Sequence, residues 1–207
     1  MAPVPGILVY GASGHGKVVA EVVRSAGLYV AGFLDDGVAA GTPVLGALVL
    51  GGFDWLKTGP AHLLAPAIGG NAVRERVCAR LLAGGHTLGT FVHRRAWVSP
   101  SAVLGPGTVV MAGAIINAEA RLGAGVIVNT GAIVEHECVV GDYAHLSPGS
   151  ALGGGARVGA RTHVGLGASV LQLARIGDDC VVGAGAVVLK EVASGLTVAG
   201  VPARPLR

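Results

Sequence analysis

The chain has 207 residues, 52% of them apolar, 13% charged and 4% aromatic, and its 15 basic against 12 acidic side chains leave a net charge of +3. So little charge and so few aromatics exclude a disordered chain and a nucleic-acid groove, and no Lys/Arg run offers itself to a polyanion or an anionic membrane. The mean hydropathy of +0.66 is spread evenly, because no stretch of about 20 residues lacks charges and Gly/Pro turn signals. The opening MAPVPGILVYGASG has no basic segment before an apolar one, and three cysteines make no disulfide framework, so a cytoplasmic protein is expected.

In chain order, Ile7–Tyr10 reads as a short buried strand. GASGHGK then opens a helix in which Val18, Val19, Val22 and Val23 recur at helical spacing and Gly27 serves as the C-cap. A second strand over 29–34 ends in Asp35 and Asp36, a third covers 63–68, and NAVRERVCARLLAGG is a further helix stopped by glycines. This is a βαβ arrangement around a parallel sheet, an α/β Rossmann-like domain over residues 1–90. Glycines between a strand and a helix let backbone N–H groups approach a phosphate. The order here is G-x-x-G-x-G rather than the dinucleotide G-x-G-x-x-G, which argues against an NAD site. A tight structural βα turn explains the loop equally well.

The texture changes over residues 91–207. From Val92 to Val188 every sixth residue is aliphatic, and four residues beyond each lies a compact Ala, Ser, Thr, Cys or Val. Each hexad thus offers one aliphatic and one small side chain to an interior. The position after the aliphatic residue is often Gly, which suits a sharply turning backbone where a Cβ would clash. Asn117 and Asn129 take the same position, where Asn tolerates a left-handed conformation; alternatively, Asn129 orients substrate.

This period resembles the hexapeptide repeat of left-handed parallel β-helix acyltransferases, in which three hexads close a triangular coil, giving about five coils here. The handedness rests on the resemblance, since parallel crossovers are normally right-handed. GASGHGK, FLDD, IGGN, NTGAIVEHECVVGDYAHLSPG and AGVPAR follow in the same order as in sugar acyltransferases of the NeuD/PglD type, so the likeness covers essentially the whole chain. The resemblance implies an N-acetyltransferase moving acetyl from acetyl-CoA to a nucleotide-linked aminosugar. The alternatives are O-acetylation of a sugar such as sialic acid and a noncatalytic sugar-nucleotide-binding scaffold. A homotrimer with acetyl-CoA clefts between neighbouring helices is expected, with no nucleic-acid or membrane partner.

The sequence VEHECV places Val134 and Cys138 in the interior and leaves Glu135, His136 and Glu137 outside it. Acetyl transfer to an amine needs a base, imidazole suits that role near neutral pH, and a carboxylate on the other ring nitrogen fixes the tautomer. The repeat phase does not choose between Glu135 and Glu137; the resemblance makes His136 the base and Glu137 its partner. Cys138 and Cys180 occupy small interior positions and are read as packing, so no acyl-enzyme is expected. No Gly-x-Ser-x-Gly elbow is present either.

By the same resemblance His145, Leu166 and Ala184 meet acetyl-CoA, the last two through backbone groups. Ser13, Gly14, His15, Asp35, Asp36 and Gly69 hold the nucleotide sugar. His163, eighteen residues after His145, should stack on it in the next coil. No metal is expected, because no two histidines have the five-residue spacing of the zinc carbonic anhydrases built on this repeat.

Overall fold

The computed structural model describes residues 6–206. A six-stranded sheet is built from β1 (Ile7–Tyr10), β2 (Val30–Leu34), β3 (Pro43–Val44), β4 (Ala47–Gly51), β5 (Leu63–Pro66) and β6 (Thr87–Leu88) in the order β3-β4-β2-β1-β5-β6. All its pairings are parallel except the β3–β4 hairpin. Between the strands run α1 (Gly14–Ser25) and α2 (Asn71–Ala83). Val19, Val22 and Val23 of α1 are buried as their spacing predicts, whereas Val18 is 42% exposed and Ala20 takes its place in the core. The chain leaves β1 towards β2 on one side and later adds β5 on the other. The carboxyl ends of β1, β2 and β5 therefore meet at a topological switch point, where open α/β sheets bind ligands.

From Phe91 onward two-residue strands recur every six residues and pair in parallel with strands eighteen residues away, building three stacked sheets. This is a parallel β-helix of triangular section with five full coils and a partial sixth. The sixth-residue aliphatics and their small partners form one continuous interior from Val110 to Val198. No coil could bury this seam alone, so stacking supplies the stability.

The glycines after the aliphatic position are small for a reason other than φ. At Gly141 and Gly153 an added Cβ would lie 2.5 and 2.6 Å from backbone nitrogen of the following coil. Left-handed φ falls two residues further on, at the position of Gly125, Gly131, Glu137 and Tyr143. Asn117 and Asn129 are thus not left-handed, which corrects the expectation drawn from their identity.

The three outer faces differ in chemistry. The first carries Phe91, Val109 and Ile127 in register, followed by His145 and His163, and its apolar part is buried with Val19, Val22 and Val23 of α1. The second presents Trp97, Ile115 and Ile133, and the third Arg121, Val139, Arg157 and Arg175. The helix α2 docks on the corner before the first face. Its Asn71 donates to the Arg161 carbonyl at 2.7 Å, and Arg74, wholly buried, donates to the carbonyls of Gly125 and Tyr143. Among the described residues no helix is long and apolar enough to cross a membrane.

Candidate active site

His136 sits on the corner between the strands Ile133–Val134 and Val139–Val140. The main chain clamps that corner from both sides: Glu137 N–H donates to the Ala118 carbonyl at 2.9 Å, and Gly155 N–H donates to the His136 carbonyl at 2.8 Å. Glu137 occupies the left-handed position with φ 60°, which costs a non-glycine residue about 1–2 kcal/mol. Its carboxylate lies 3.0 Å from His136 Nδ1, so the ring donates there and keeps Nε2 as the acceptor. Glu135 instead reaches the His136 backbone N–H at 3.4 Å, so Glu137 is the carboxylate on the ring. The imidazole lies against Gly154 of the next coil, where an added Cβ would be 2.6 Å from Nε2. Both side chains are well exposed, at 59% and 66%.

Directly beneath, Cys138 is fully buried, its Sγ 3.3 Å from the Gly153 carbonyl, and burial pushes its thiol up from the ordinary value. Such a thiol is a poor nucleophile, and Cys180 is equally enclosed. Among the described residues no group of three or more His, Cys, Asp or Glu converges as metal ligands would.

A second cluster lies at the switch point. Ser13 is the exposed N-cap of α1 and its hydroxyl makes no capping bond, while Gly14, His15 and Gly16 form the first turn with its outward N–H groups. Gly16 is obligatory, since a Cβ there would sit 2.0 Å from the Gly11 carbonyl oxygen. Asp35 accepts from Ala12 N–H at 2.8 Å and so pins the loop. Asp36 accepts from the Tyr10 hydroxyl at 2.6 Å and from Phe53 N–H at 2.8 Å, bonds that hold its carboxyl below the ordinary value. Gly69 lies in the next loop of the same rim, and its carbonyl accepts from Arg74 at 3.1 Å.

His15 meets the helix here, its ring centroid 6.3 Å from that of His145. His163 lies directly above His145, as their eighteen-residue spacing predicts, the rings meeting edge-on with centroids 4.8 Å apart, and its Nε2 lies 2.9 Å from the Ser147 hydroxyl. Asn129 points its side chain not at His136 but at His145 Nε2, 3.0 Å away, while its Oδ1 accepts from Thr130 N–H. With the amide donating, neutral His145 carries its proton on Nδ1. Burial, then His163, Arg74 and His15, push His145 down to about 3; burial, then Arg74, pushes His15 to about 4. Both rings are therefore neutral donors or acceptors rather than bases at pH 7. Leu166 and Ala184 are exposed on the corner following the first face, one coil apart.

Sequence reasoning missed Gly154 and Arg74. Arg74 directs six hydrogen bonds, to five backbone carbonyls and Asn71 Oδ1, and among the described residues none to a carboxylate. Burial pushes it down to about 10, which leaves it a cation.

Hexad coils carrying a carboxylate-oriented histidine, joined to a small parallel sheet, are the build of a β-helix acyltransferase. The PglD N-terminal domain family matches residues 6–81. The structure of a histidine mutant of perosamine N-acetyltransferase from Caulobacter crescentus in complex with CoA and GDP-perosamine superposes with a TM-score of 0.95 at 39% identity, covering 99% of this chain and 98% of that one. The acetyltransferase domain of PglB from Neisseria gonorrhoeae, in complex with acetyl coenzyme A, gives 0.92 at 38% identity over 97% and 98%. UDP-N-acetylbacillosamine N-acetyltransferase of Bacillus subtilis is 40% identical over 119 residues, 51% of each chain, so that match spans about half of the curated relative. The chain belongs to the NeuD/PglD-type family of sugar acyltransferases.

Proposed function

We propose that this protein transfers acetyl from acetyl-CoA to the amine of a nucleotide-linked aminosugar, with His136 as general base. The observation that carries the reading is the Glu137–His136 contact of 3.0 Å, which leaves Nε2 to accept a proton on an exposed corner. The sugar nitrogen attacks the thioester carbonyl carbon as Nε2 takes one of its protons. The C–S bond then breaks, and the imidazolium returns that proton to the leaving thiolate. Relatives of both nucleotide classes, GDP-perosamine and UDP-N-acetylbacillosamine, are N-acetyltransferases by name, which supports an amine acceptor.

Ser13, Gly14, His15, Asp35, Asp36 and Gly69 are assigned to the nucleotide sugar, and His145, Leu166 and Ala184 to acetyl-CoA. Asn129 serves by orienting His145. The switch-point cluster abuts the first face, whereas His136 lies on the corner opposite that face. In this reading one chain's base works on the sugar held by a neighbouring copy, since it lies on the far corner from its own switch-point cluster. The apolar second face, with Trp97 60% exposed and Ile115 36%, supports a homotrimer packed about that face.

The test is free-thiol release from acetyl-CoA across UDP-, GDP-, CMP- and dTDP-linked aminosugars, with sedimentation of the same sample. Turnover with one aminosugar nucleotide by a trimer is expected. Turnover only with hydroxyl acceptors such as sialic acid would overturn the amine assignment, and an active monomer would overturn the shared site.

A further inference from the structure

The second face lies between two corners of opposite charge. The chain enters that face through 93–95 and leaves it through 99–101, and the same order repeats every eighteen residues. Through the first three coils the entering corner carries Arg94 and Arg95 and no acid, while the leaving corner carries Glu119, Glu135 and Glu137 and no Lys or Arg. Glu137 serves the His136 ring and Glu135 its backbone N–H. The side chains of Arg94, Arg95 and Glu119 are exposed, and among the described residues none of the three has a hydrogen-bond or ion-pair partner. Their backbones, by contrast, are fastened. Arg94 N–H donates to the Ser25 hydroxyl at 3.3 Å and Arg95 N–H to His93 Nδ1 at 3.0 Å, while the Arg95 carbonyl accepts from Gly113 N–H at 3.2 Å. Glu119 N–H donates to the Ser101 hydroxyl at 3.1 Å. Both corners are held by the main chain, and only their charged ends are left over. The groove beside Arg94 and Arg95 does contain one acid, Glu21 of α1, but Glu21 answers Arg24 at 3.6 Å.

Rotating one prism about an axis parallel to its coils sets the entering corner of one copy against the leaving corner of the next, whereas a two-fold axis across the coils would set cation against cation. Unlike edges joined around a closed ring form a heterologous interface, and the exposed Trp97 and Ile115 between the two corners give it an apolar middle. Resting on the homotrimer of the proposed function, we infer that Arg94 and Arg95 of each copy clasp Glu119 of the next, and that this pairing selects parallel over antiparallel packing of the helices. A closed ring keeps the copies level, so the pair spans one coil, about 5 Å at the strand spacing, within reach of an extended Arg side chain. The polarity matters for the chemistry. His136 and Asn129 lie in the same coil, one on the leaving and the other on the entering corner. In parallel packing the base of one copy faces the next copy's Asn129 and the His145 that its amide holds; in antiparallel packing it would face another leaving corner. Charges across an interface set orientation and specificity more than affinity, which suits pairs at a rim, where each ion pair is weak by itself.

The experiment compares the wild type with Arg94→Glu/Arg95→Glu, with Glu119→Arg and with all three substitutions together, by sedimentation velocity over a range of concentrations and by acetyl transfer on the same samples. Arg suits the Glu119 backbone, since Arg161 holds the equivalent position of another corner with φ 56°. Each reversal sets like charges face to face and should raise the trimer dissociation constant roughly 10- to 100-fold, with turnover falling in parallel on dilution and circular dichroism unchanged. The triple variant rebuilds the pair with its signs exchanged and should return both assembly and turnover to near the wild-type values. Added salt should loosen the wild type and tighten either reversal. Reversals that assemble as the wild type does, or a triple variant no tighter than the reversals it combines, would overturn the inference. The two readings fail separately: a charge-dependent trimer that transfers no acetyl to any aminosugar nucleotide defeats only the proposed reaction, while an active trimer indifferent to these three charges defeats only the clasp.

Discussion

The β-helix and the sheet domain place chemistry on the chain in opposite ways. In the helix the interior aliphatics and the main-chain ladder fix every corner, so His136 and Glu137 touch solvent and each other and contribute nothing to the core. In the sheet domain the residues assigned to the ligand are also the fasteners: Asp35 pins the glycine loop and Asp36 ties β1 to the segment after β4. Removing His136 or Glu137 therefore leaves the first region's core untouched, whereas removing Asp35 or Asp36 from the second takes structural hydrogen bonds with it.

The comparison is most exposed to His136→Ala. Loss of a general base should lower kcat about 10²- to 10⁴-fold with the thermal midpoint unmoved; a parallel loss of stability by calorimetry would break the distinction. Arg74→Met is the counterpart across the seam. It strips five carbonyls and Asn71 of their donor and should cost about 3–5 kcal/mol by urea unfolding, and a variant as stable as the wild type would refute the clasp.

A finer test is Gly154→Ala, whose Cβ would press on the His136 ring. Displacing the base by a fraction of an ångström should reduce kcat roughly 10- to 100-fold while urea midpoints stay put, and full activity would show that the ring is held by Glu137 alone. The smallest effect concerns pH. His15 and His145 are held neutral down to about 4 and about 3 in the fold, while in the unfolded chain they protonate near 6.5. Below that value the unfolded state binds more protons, so stability should fall steadily between pH 6.5 and 4. Replacing His145 with Gln should flatten the slope of urea midpoint against pH; an unchanged slope would place the buried titration elsewhere.

Much of the helix was legible because its core depends on side-chain period alone. Glycine, however, serves two ends there, avoiding the coil above at one position and reaching left-handed φ at another, and composition cannot separate them; hence the misplaced turn at Asn117 and Asn129. The partner of Asn129 lies sixteen residues on, across a coil, and the choice of Glu137 over Glu135 depends on a backbone twist at one residue. Arg74 was invisible for a related reason, since it reads as a surface cation in a polar helix and its partners are carbonyls, which every residue has. Strands β3 and β6, of two residues each, are too short to carry a period of their own.

A chain whose hexads are interchangeable has no internal address: rung could settle on rung one coil out of place with the aliphatic seam still filled. The contacts of α2 remove that degeneracy. Through Arg74 and Asn71 the helix grips Gly125, Tyr143 and Arg161, three corners spaced by one coil each, and a slipped stack would offer the guanidinium the wrong carbonyls. The sheet domain thus acts as the zero mark from which the rungs are counted, and the height of His136 above it is set before any substrate arrives.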